Sequence, residues 1–282
     1  MLSVTTGASA PSGKPPPPEL RTALITGASS GIGLALAHEF AAHGHDLVLV
    51  ARHEERLAQL AAELTARHGC RATVLPCDLT DPVATDALLA ELVRQGIQVD
   101  VLVSNAGFAI KGAFATTDLA AETAMVELQL NALLRLAKAL VPGMLGRGRG
   151  GLLTVASVYS FAPVAFQAVY GACKAFLLSF SEALASEGAG RGLKVTVLCP
   201  GSTRTEFRQR AGHPEEPPGG KGMAAERVAA AGYAGLMRGQ RIVVPGTANR
   251  VFVALARVVP GAAITAVLRK INRYRGMVPK AH

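Results

Sequence analysis

The sequence predicts an α/β fold: a doubly wound parallel sheet covered by helices on both faces, three layers within a single domain. Three observations lead there. Seven short runs rich in β-branched residues alternate with longer segments rich in Ala and Leu. The longer segments repeat apolar residues at helical spacing, as at Leu34, Ala37, Phe40 and Ala41. Half of the 282 residues are hydrophobic and only 17% are charged, which supplies a buried core and excludes disorder over most of the length. Strand, helix and strand repeated in this way imply parallel strands joined by right-handed crossovers.

Residues 1–20 hold no apolar run and carry Ser, Gly and the stretch Pro15–Pro18, so a disordered or polyproline-like tail is expected rather than a targeting helix. The main domain is expected over 21–246. Its strands are predicted at Thr22–Ile25, Leu47–Val50, Thr73–Leu75, Val101–Ser104, Leu152–Ala156, Val195–Leu198 and Ile242–Val244. Between Arg204 and Met223, Gly212, Pro214, Pro217, Pro218, Gly219, Gly220 and Gly222 crowd a short span, which predicts a long loop of functional type. Residues 247–282 form a basic amphipathic helical extension. In it Val251, Phe252, Leu255, Val258 and Val259 have helical spacing, and Pro260 restarts the chain into Ile264, Val267, Leu268 and Ile271. Arg257, Pro260 and Gly261 interrupt the most apolar stretch, Val251–Leu268, so no spanning helix is predicted there.

The net charge of +9 points first to nucleic acid or an anionic membrane. Its distribution narrows that reading. From Arg227 to His282 there are ten cations and no acid, which leaves the preceding 226 residues with 19 cations against 20 acids. No nucleic-acid recognition motif accompanies the charge, so nucleic acid is not expected as a partner. Cys70, Cys77, Cys173 and Cys199 show no metal-ligand spacing and read as buried thiols of a reduced, cytoplasmic compartment.

The first strand runs into Thr26-Gly27-Ala28-Ser29-Ser30-Gly31-Ile32-Gly33 and then an amphipathic helix. Glycines there let the backbone turn sharply and approach a pyrophosphate, while the helix N-terminus offers free N–H groups and positive dipole. The second strand ends at Ala51-Arg52-His53, where many dinucleotide proteins carry an acid for the ribose 2′-hydroxyl. Arginine would instead meet a 2′-phosphate, which favours NADP (NADPH) over NAD. Cys77-Asp78-Leu79 and Ser104-Asn105-Ala106-Gly107 fall at the carboxyl ends of the third and fourth strands, where such sheets bind ligands. Asp78 is a candidate acceptor for the adenine amino group, or equally a cap for the helix opening at Asp81-Pro82. Asn105 and Gly107 are candidates to line the adenosine ribose.

Tyr170-Gly171-Ala172-Cys173-Lys174 sets a phenol and an ammonium on one helix face, with Ser157 thirteen positions earlier at a strand end. A lysine beside a phenol favours phenolate, and a cationic nicotinamide would add to this, making Tyr170 a general acid/base.

Taken together, these motifs resemble those of the short-chain dehydrogenase/reductase family, single-domain Rossmann type, in the family's order over about 24–244. The resemblance implies that Tyr170 exchanges a proton with the substrate oxygen and that Ser157 polarises it. It further implies that Lys174 binds the nicotinamide ribose and tunes Tyr170, and that Asn131, in Leu128-Gln129-Leu130-Asn131-Ala132, holds a water relaying protons to solvent. Pro200, Gly201, Thr203 and Thr205 would contact the nicotinamide and diphosphate. Three departures stand out: Ser104 replaces the family's usual first Asn, no basic residue occupies the glycine turn, and Cys173 beside Lys174 would sensitise the site to thiol reagents.

The expected reaction is hydride transfer between NADP(H) and a carbonyl or secondary alcohol. Phe108, Ile110, Phe114, Val158, Tyr159, Phe161, Val164 and Phe166 suggest an apolar substrate, ketone, steroid-like or ketoacyl. Arg204, Arg208 and Arg210 are candidates for an anionic substrate tail, or a solvated face. The resemblance also implies a homodimer or homotetramer built on the helices of Asn131 and Tyr170. The C-terminal extension either caps the substrate cleft, forms a subunit interface or lies on an anionic membrane as a peripheral contact. The other function class is a non-catalytic NADP-binding sensor or scaffold; intact Asn131, Ser157, Tyr170 and Lys174 argue against it.

Overall fold

A computed structural model of the chain describes residues 20–205 and 222–274, without the side chains of Arg273 and Tyr274. The Pro-rich segment 1–19, Arg208 and Arg210 in the Pro/Gly-rich loop, and the terminal cations Arg275 and Lys280 lie outside the described residues.

All seven expected strands form, with ends moved by at most two residues. They are β1 (Thr22–Thr26), β2 (Asp46–Ala51), β3 (Ala72–Pro76), β4 (Val101–Ser104), β5 (Gly150–Val155), β6 (Leu193–Leu198) and, after β7 (Thr203–Arg204) and β8 (Met223–Ala224), β9 (Ile242–Val243). β7 and β8 pair only with each other, a ribbon that the breaker-rich sequence around them did not signal. The main sheet is wholly parallel, in the order β3-β2-β1-β4-β5-β6-β9. The chain moves outward from β1 to β3 and then returns to β4 on the other side of β1. That reversal opens a crevice at the carboxyl ends of β1 and β4.

Helices cover both faces, so the strands carry apolar side chains on alternate sides without a polar face. Ala23 and Ile25 pack with Leu36 and Phe40 of α1 (Gly31–Ala42) and Leu57, Leu60 and Leu64 of α2 (Glu54–His68). Leu24 points the other way, toward Leu88 and Leu92 of α3 (Pro82–Arg94). On that second face α4 (Leu119–Val126) leads through one π turn, Glu127–Asn131, into α5 (Ala132–Gly146), whose Leu133 and Leu136 share the layer with Leu177 of α6 (Ala168–Glu187). The first face is completed by Val228 and Leu236 of α7 (Ala225–Met237). Each such leucine contributes about 1.5–3 kcal/mol relative to exposure. By length and composition α6 could cross a membrane, yet its buried face belongs to this core.

Between α1 and β2 the fully buried His45 ring sits 3.0 Å (Nε2) from the Tyr233 hydroxyl and edge-on to Phe40. Burial holds its pKa down at about 4. The folded value lies below the unfolded one, so between about pH 6.5 and 4 the unfolded chain takes up a proton that the fold refuses. Stability is therefore present at neutral pH and lost on acidification, by roughly 3 kcal/mol in this window. In denaturant unfolding at pH 7 and pH 4.5, His45→Gln should lose less stability than wild type on acidification; equal losses would contradict this account.

Candidate active site

Gly27 and Gly31 take left-handed backbone angles, φ 67° and 59°, that only glycine adopts without strain. A Cβ on Gly33 would strike the Gly27 carbonyl and the Asn105 amide. This glycine lets the start of α1 pack directly on the turn and on the end of β4. Ser30 occupies the N-cap of α1 in extended conformation and its hydroxyl caps none of the first-turn N–H groups. Ser29 and Ile32 are half-buried on either side, Ile32 packing on the core. Thr205 stands over Gly31, within 3.2 Å of where a Cβ would sit. The Thr203 hydroxyl donates to the Gly201 carbonyl at 3.2 Å, and the Pro200 carbonyl accepts from Val158 N–H at 3.0 Å, joining the ends of β5 and β6.

The ends of β1 and β4 are tied together. Thr26 Oγ1 accepts from the N–H groups of Asn105 (2.9 Å) and Ala106 (3.0 Å), and Asn105 Nδ2 donates to the Thr26 carbonyl at 2.9 Å. The Asn105 amide thus braces the glycine turn from behind, a role that strand-end position alone did not distinguish from lining a ribose. Gly107 faces the Gln129 side chain, whose amide donates to the Phe108 carbonyl at 3.0 Å. At the neighbouring strand ends Arg52 Nη1 lies 3.9 Å from Asp78 Oδ2, with Leu79 buried beneath. Asp78 accepts from the N–H (3.0 Å) and hydroxyl (2.8 Å) of Thr80. Burial pushes its pKa up, but the Thr80 bonds and Arg52 outweigh that and leave it lowered. The cap of α3 is Asp81, which accepts from Val83 N–H. Asp78 is therefore left to the crevice.

Ser157 follows β5 and caps the 3₁₀ turn Val158–Phe161, accepting from Tyr159 N–H at 3.2 Å. Ser157, Tyr170 and Lys174 are all less than a tenth exposed. The Ser157 hydroxyl is hydrogen-bonded to the Tyr170 phenol. Lys174 Nζ donates to the Val155 carbonyl at 2.9 Å and lies 5.5 Å from the Tyr170 ring centroid. Burial pushes the phenol pKa up and the Ser157 bond pulls it down, while burial lowers Lys174 to about 8. In the chain alone, then, burial opposes the shift toward phenolate expected from Lys174. Cys173 is buried and burial raises its thiol pKa, both of which work against the reactivity toward thiol reagents expected of it. Asn131 ends the π turn, exposed, with its amide donating to the Glu127 carboxylate at 2.5 Å.

Around Tyr170, Ala109 and Met125 are buried, with Phe108, Ile110, Tyr159 and Val169 packed against them. Phe114 is 68% exposed and stands outside this patch. Tyr159 also touches a second cluster made by Val164 with Ile264 and Leu268 of the C-terminal hairpin, α8 (Thr247–Val258) and α9 (Gly261–Tyr274). The hairpin's inner face is Phe252, Val253, Ala256, Val259, Ile264, Leu268 and Asn272. The stripe expected from spacing is corrected accordingly: Val251, Leu255, Val258, Val267 and Ile271 face outward, since both helices are apolar over more than one face and contact with Val164 and Tyr159 selects the other. Asn272 had no sequence signal beyond its register with Ile264 and Leu268. It is fully buried and donates to the Ala165 carbonyl at 2.9 Å. The next residue, Phe166, has φ 67°, a strained angle for a bulky side chain, and its carbonyl accepts from Gly112 N–H at 3.0 Å. The strained turn four residues before Tyr170 is thus clamped from two sides.

The family described as short chain dehydrogenase matches residues 21–216. The chain belongs to the short-chain dehydrogenase family. Its oxidoreductase class and Rossmann-type fold follow. Among relatives, the ketoacyl reductase HetN of Nostoc is 35% identical over 181 residues, 64% of this chain and 63% of that protein. The 3-oxoacyl-[acyl-carrier-protein] reductase FabG of Escherichia coli is 32% identical over 217 residues, 75% of this chain and 87% of that one. Two solved structures extend the likeness. A short-chain dehydrogenase from Sphingobium yanoikuyae in complex with NADPH gives a TM-score of 0.76 at 34% identity, covering 93% of this chain and 98% of that one. The bulky-bulky ketone specific alcohol dehydrogenase from Comamonas testosteroni gives 0.73 at 29%, covering 94% and 97%.

Proposed function

We propose that this short-chain dehydrogenase transfers hydride between NADP(H) and the carbonyl of a fairly apolar ketone, or the matching secondary alcohol. The observation that carries the reading is the Ser157–Tyr170 hydrogen bond with Lys174 over the phenol ring, at the same sheet edge as the glycine turn and Arg52. The crevice fits a dinucleotide on its own terms: N–H groups at the start of α1 that the Ser30 hydroxyl leaves uncapped, and an Arg52 side chain 64% exposed where a 2′-phosphate would lie. The bound dinucleotide would supply or accept the hydride.

The residues do the rest. Gly27, Ser29, Ser30, Gly31, Ile32 and Gly33 hold the diphosphate, Arg52 the 2′-phosphate and Asp78 with Leu79 the adenine. Asn105, Ala106 and Gly107 form the floor, and Pro200, Gly201, Thr203 and Thr205 the nicotinamide side. Ser157 orients the carbonyl oxygen. Tyr170 gives that oxygen its proton during reduction, and a phenol pKa raised by burial keeps the proton available until then. Lys174, cationic at neutral pH, offsets the phenolate left behind, and Asn131 holds a water through which the proton is restored.

An apolar patch around Tyr170 and a C-terminal hairpin seated on the loop before it favour a bulky apolar substrate. The names of two relatives, a ketoacyl reductase and a bulky-bulky ketone alcohol dehydrogenase, point the same way. We further read the protein as a homodimer or homotetramer of a reduced, cytoplasmic compartment, its four cysteines all buried as thiols. Loss of absorbance at the NADPH band across a panel of ketones, aldehydes, quinones and ketoacyl thioesters tests the reading. Turnover with the bulky apolar members supports it. NADPH binding without turnover throughout would favour the scaffold.

Asn272 is expected to act as a positioning residue. Asn272→Leu removes the donor to Ala165 and should raise KM for a bulky ketone by roughly tenfold, the size of a lost buried hydrogen bond. NADPH affinity and kcat should stay near wild type, because the glycine turn and Tyr170 are untouched. An unchanged KM would contradict the clamp, and joint loss of NADPH affinity would show a merely structural role.

A further inference from the structure

The inner face of the C-terminal hairpin is accounted for by Val164 and Tyr159, but its outer face is not. On α8, Val251, Leu255 and Val258 lie at i, i+4 and i+7, one stripe directed away from the core. On α9, Val267 and Ile271 repeat the pattern at i and i+4. These five side chains are between 38% and 78% exposed, although they are among the most apolar in the segment. Large apolar side chains exposed at helical spacing on both helices favour a contact surface.

The charge around the stripe selects the partner. Arg250, Arg269 and Lys270 are exposed on the same two helices, Arg257 lies over the Phe161 ring at 5.2 Å, and no acid follows Glu226. A second copy docked on this face across a twofold axis would bring the exposed cations of the two hairpins near one another, with no carboxylate in the segment to pair them. An anionic phospholipid surface answers both features, taking the apolar residues at the headgroup boundary and the cations among the phosphates. We propose that the C-terminal hairpin docks the protein peripherally on anionic membranes through Val251, Leu255, Val258, Val267 and Ile271. The hairpin's inner face rests on the loop between Ser157 and Tyr170, so the docked face lies next to the proposed substrate side.

Co-sedimentation of the full chain with phosphatidylcholine vesicles, with and without phosphatidylserine, tests this. Binding is expected only to the phosphatidylserine-containing vesicles, with release at high salt. Arg250→Gln and Lys270→Gln should each lower the partition coefficient about fivefold, and Leu255→Ser with Val258→Ser should weaken binding further. All four positions are exposed, and NADPH titration of the same variants should match wild type, so failure here is separable from failure of the oxidoreductase reading. Absence of binding to both vesicle types, or equal binding to both, would overturn the proposal. So would a serine variant that dissociates an oligomer in sedimentation velocity while vesicle binding is unchanged, which would assign the face to a second copy.

Discussion

Tyr170→Phe is expected to lower kcat/KM for ketone reduction by about 10²- to 10⁴-fold, the usual contribution of a positioned general acid. Phenylalanine fills the same buried volume, and the hydroxyl it lacks is bonded to Ser157 rather than to the glycine turn. Stability should therefore fall by only about 1 kcal/mol, and NADPH affinity by fluorescence titration should stay close to wild type. The separation is the informative part. A variant with near wild-type turnover would remove Tyr170 from the mechanism. A variant that loses NADPH affinity in proportion to turnover would show that the phenol supports binding and not proton transfer.

Arg52→Asp should reverse coenzyme preference. Losing a charge-assisted contact to the 2′-phosphate costs roughly 10- to 100-fold in kcat/KM with NADPH, and the new carboxylate repels that phosphate as well. With NADH the same carboxylate can accept from the ribose hydroxyls, so activity should hold or rise. Asp78 complicates the variant, because it lies 3.9 Å from the present guanidinium and would face a like charge. Arg52→Gln separates the two effects: it removes the cation without adding repulsion and should reduce NADPH preference without reversing it. Initial rates with both coenzymes decide, and an unchanged preference in Arg52→Asp would show that Arg52 does not read the phosphate.

The seven main strands were legible because strands buried on both faces appear as short unbroken apolar runs rich in Val, Ile and Leu, as at Leu47–Val50. The placement of the glycine turn, Arg52 and Ser157 at one edge was legible as well, since a parallel sheet brings the carboxyl ends of its strands together, and the i, i+4 spacing set Tyr170 and Lys174 on one helix face. Bonds between distant segments were not. Nothing in the sequence around Asn105 says that its amide turns back onto Thr26, and nothing near Asn272 says that it reaches Ala165. Each depends on where another strand or helix comes to rest. The positive φ of Phe166 was hidden for the same reason, since local propensity argues against it and only surrounding contacts hold it. In the C-terminal hairpin, spacing showed amphipathic helices but could not choose between two apolar faces. Packing against Val164 made that choice.

The central claim is direct hydride transfer from the nicotinamide to a carbonyl carbon, and an isotope experiment reaches it most closely. NADPH carrying deuterium at the transferable nicotinamide position is incubated with the protein and the best bulky ketone from the panel, and the alcohol is analysed by mass spectrometry and NMR. Deuterium should be found on the carbinol carbon of the product, with wild type and only in trace with Tyr170→Phe. A product free of carbon-bound deuterium, or no product despite saturated NADPH binding, would contradict the account.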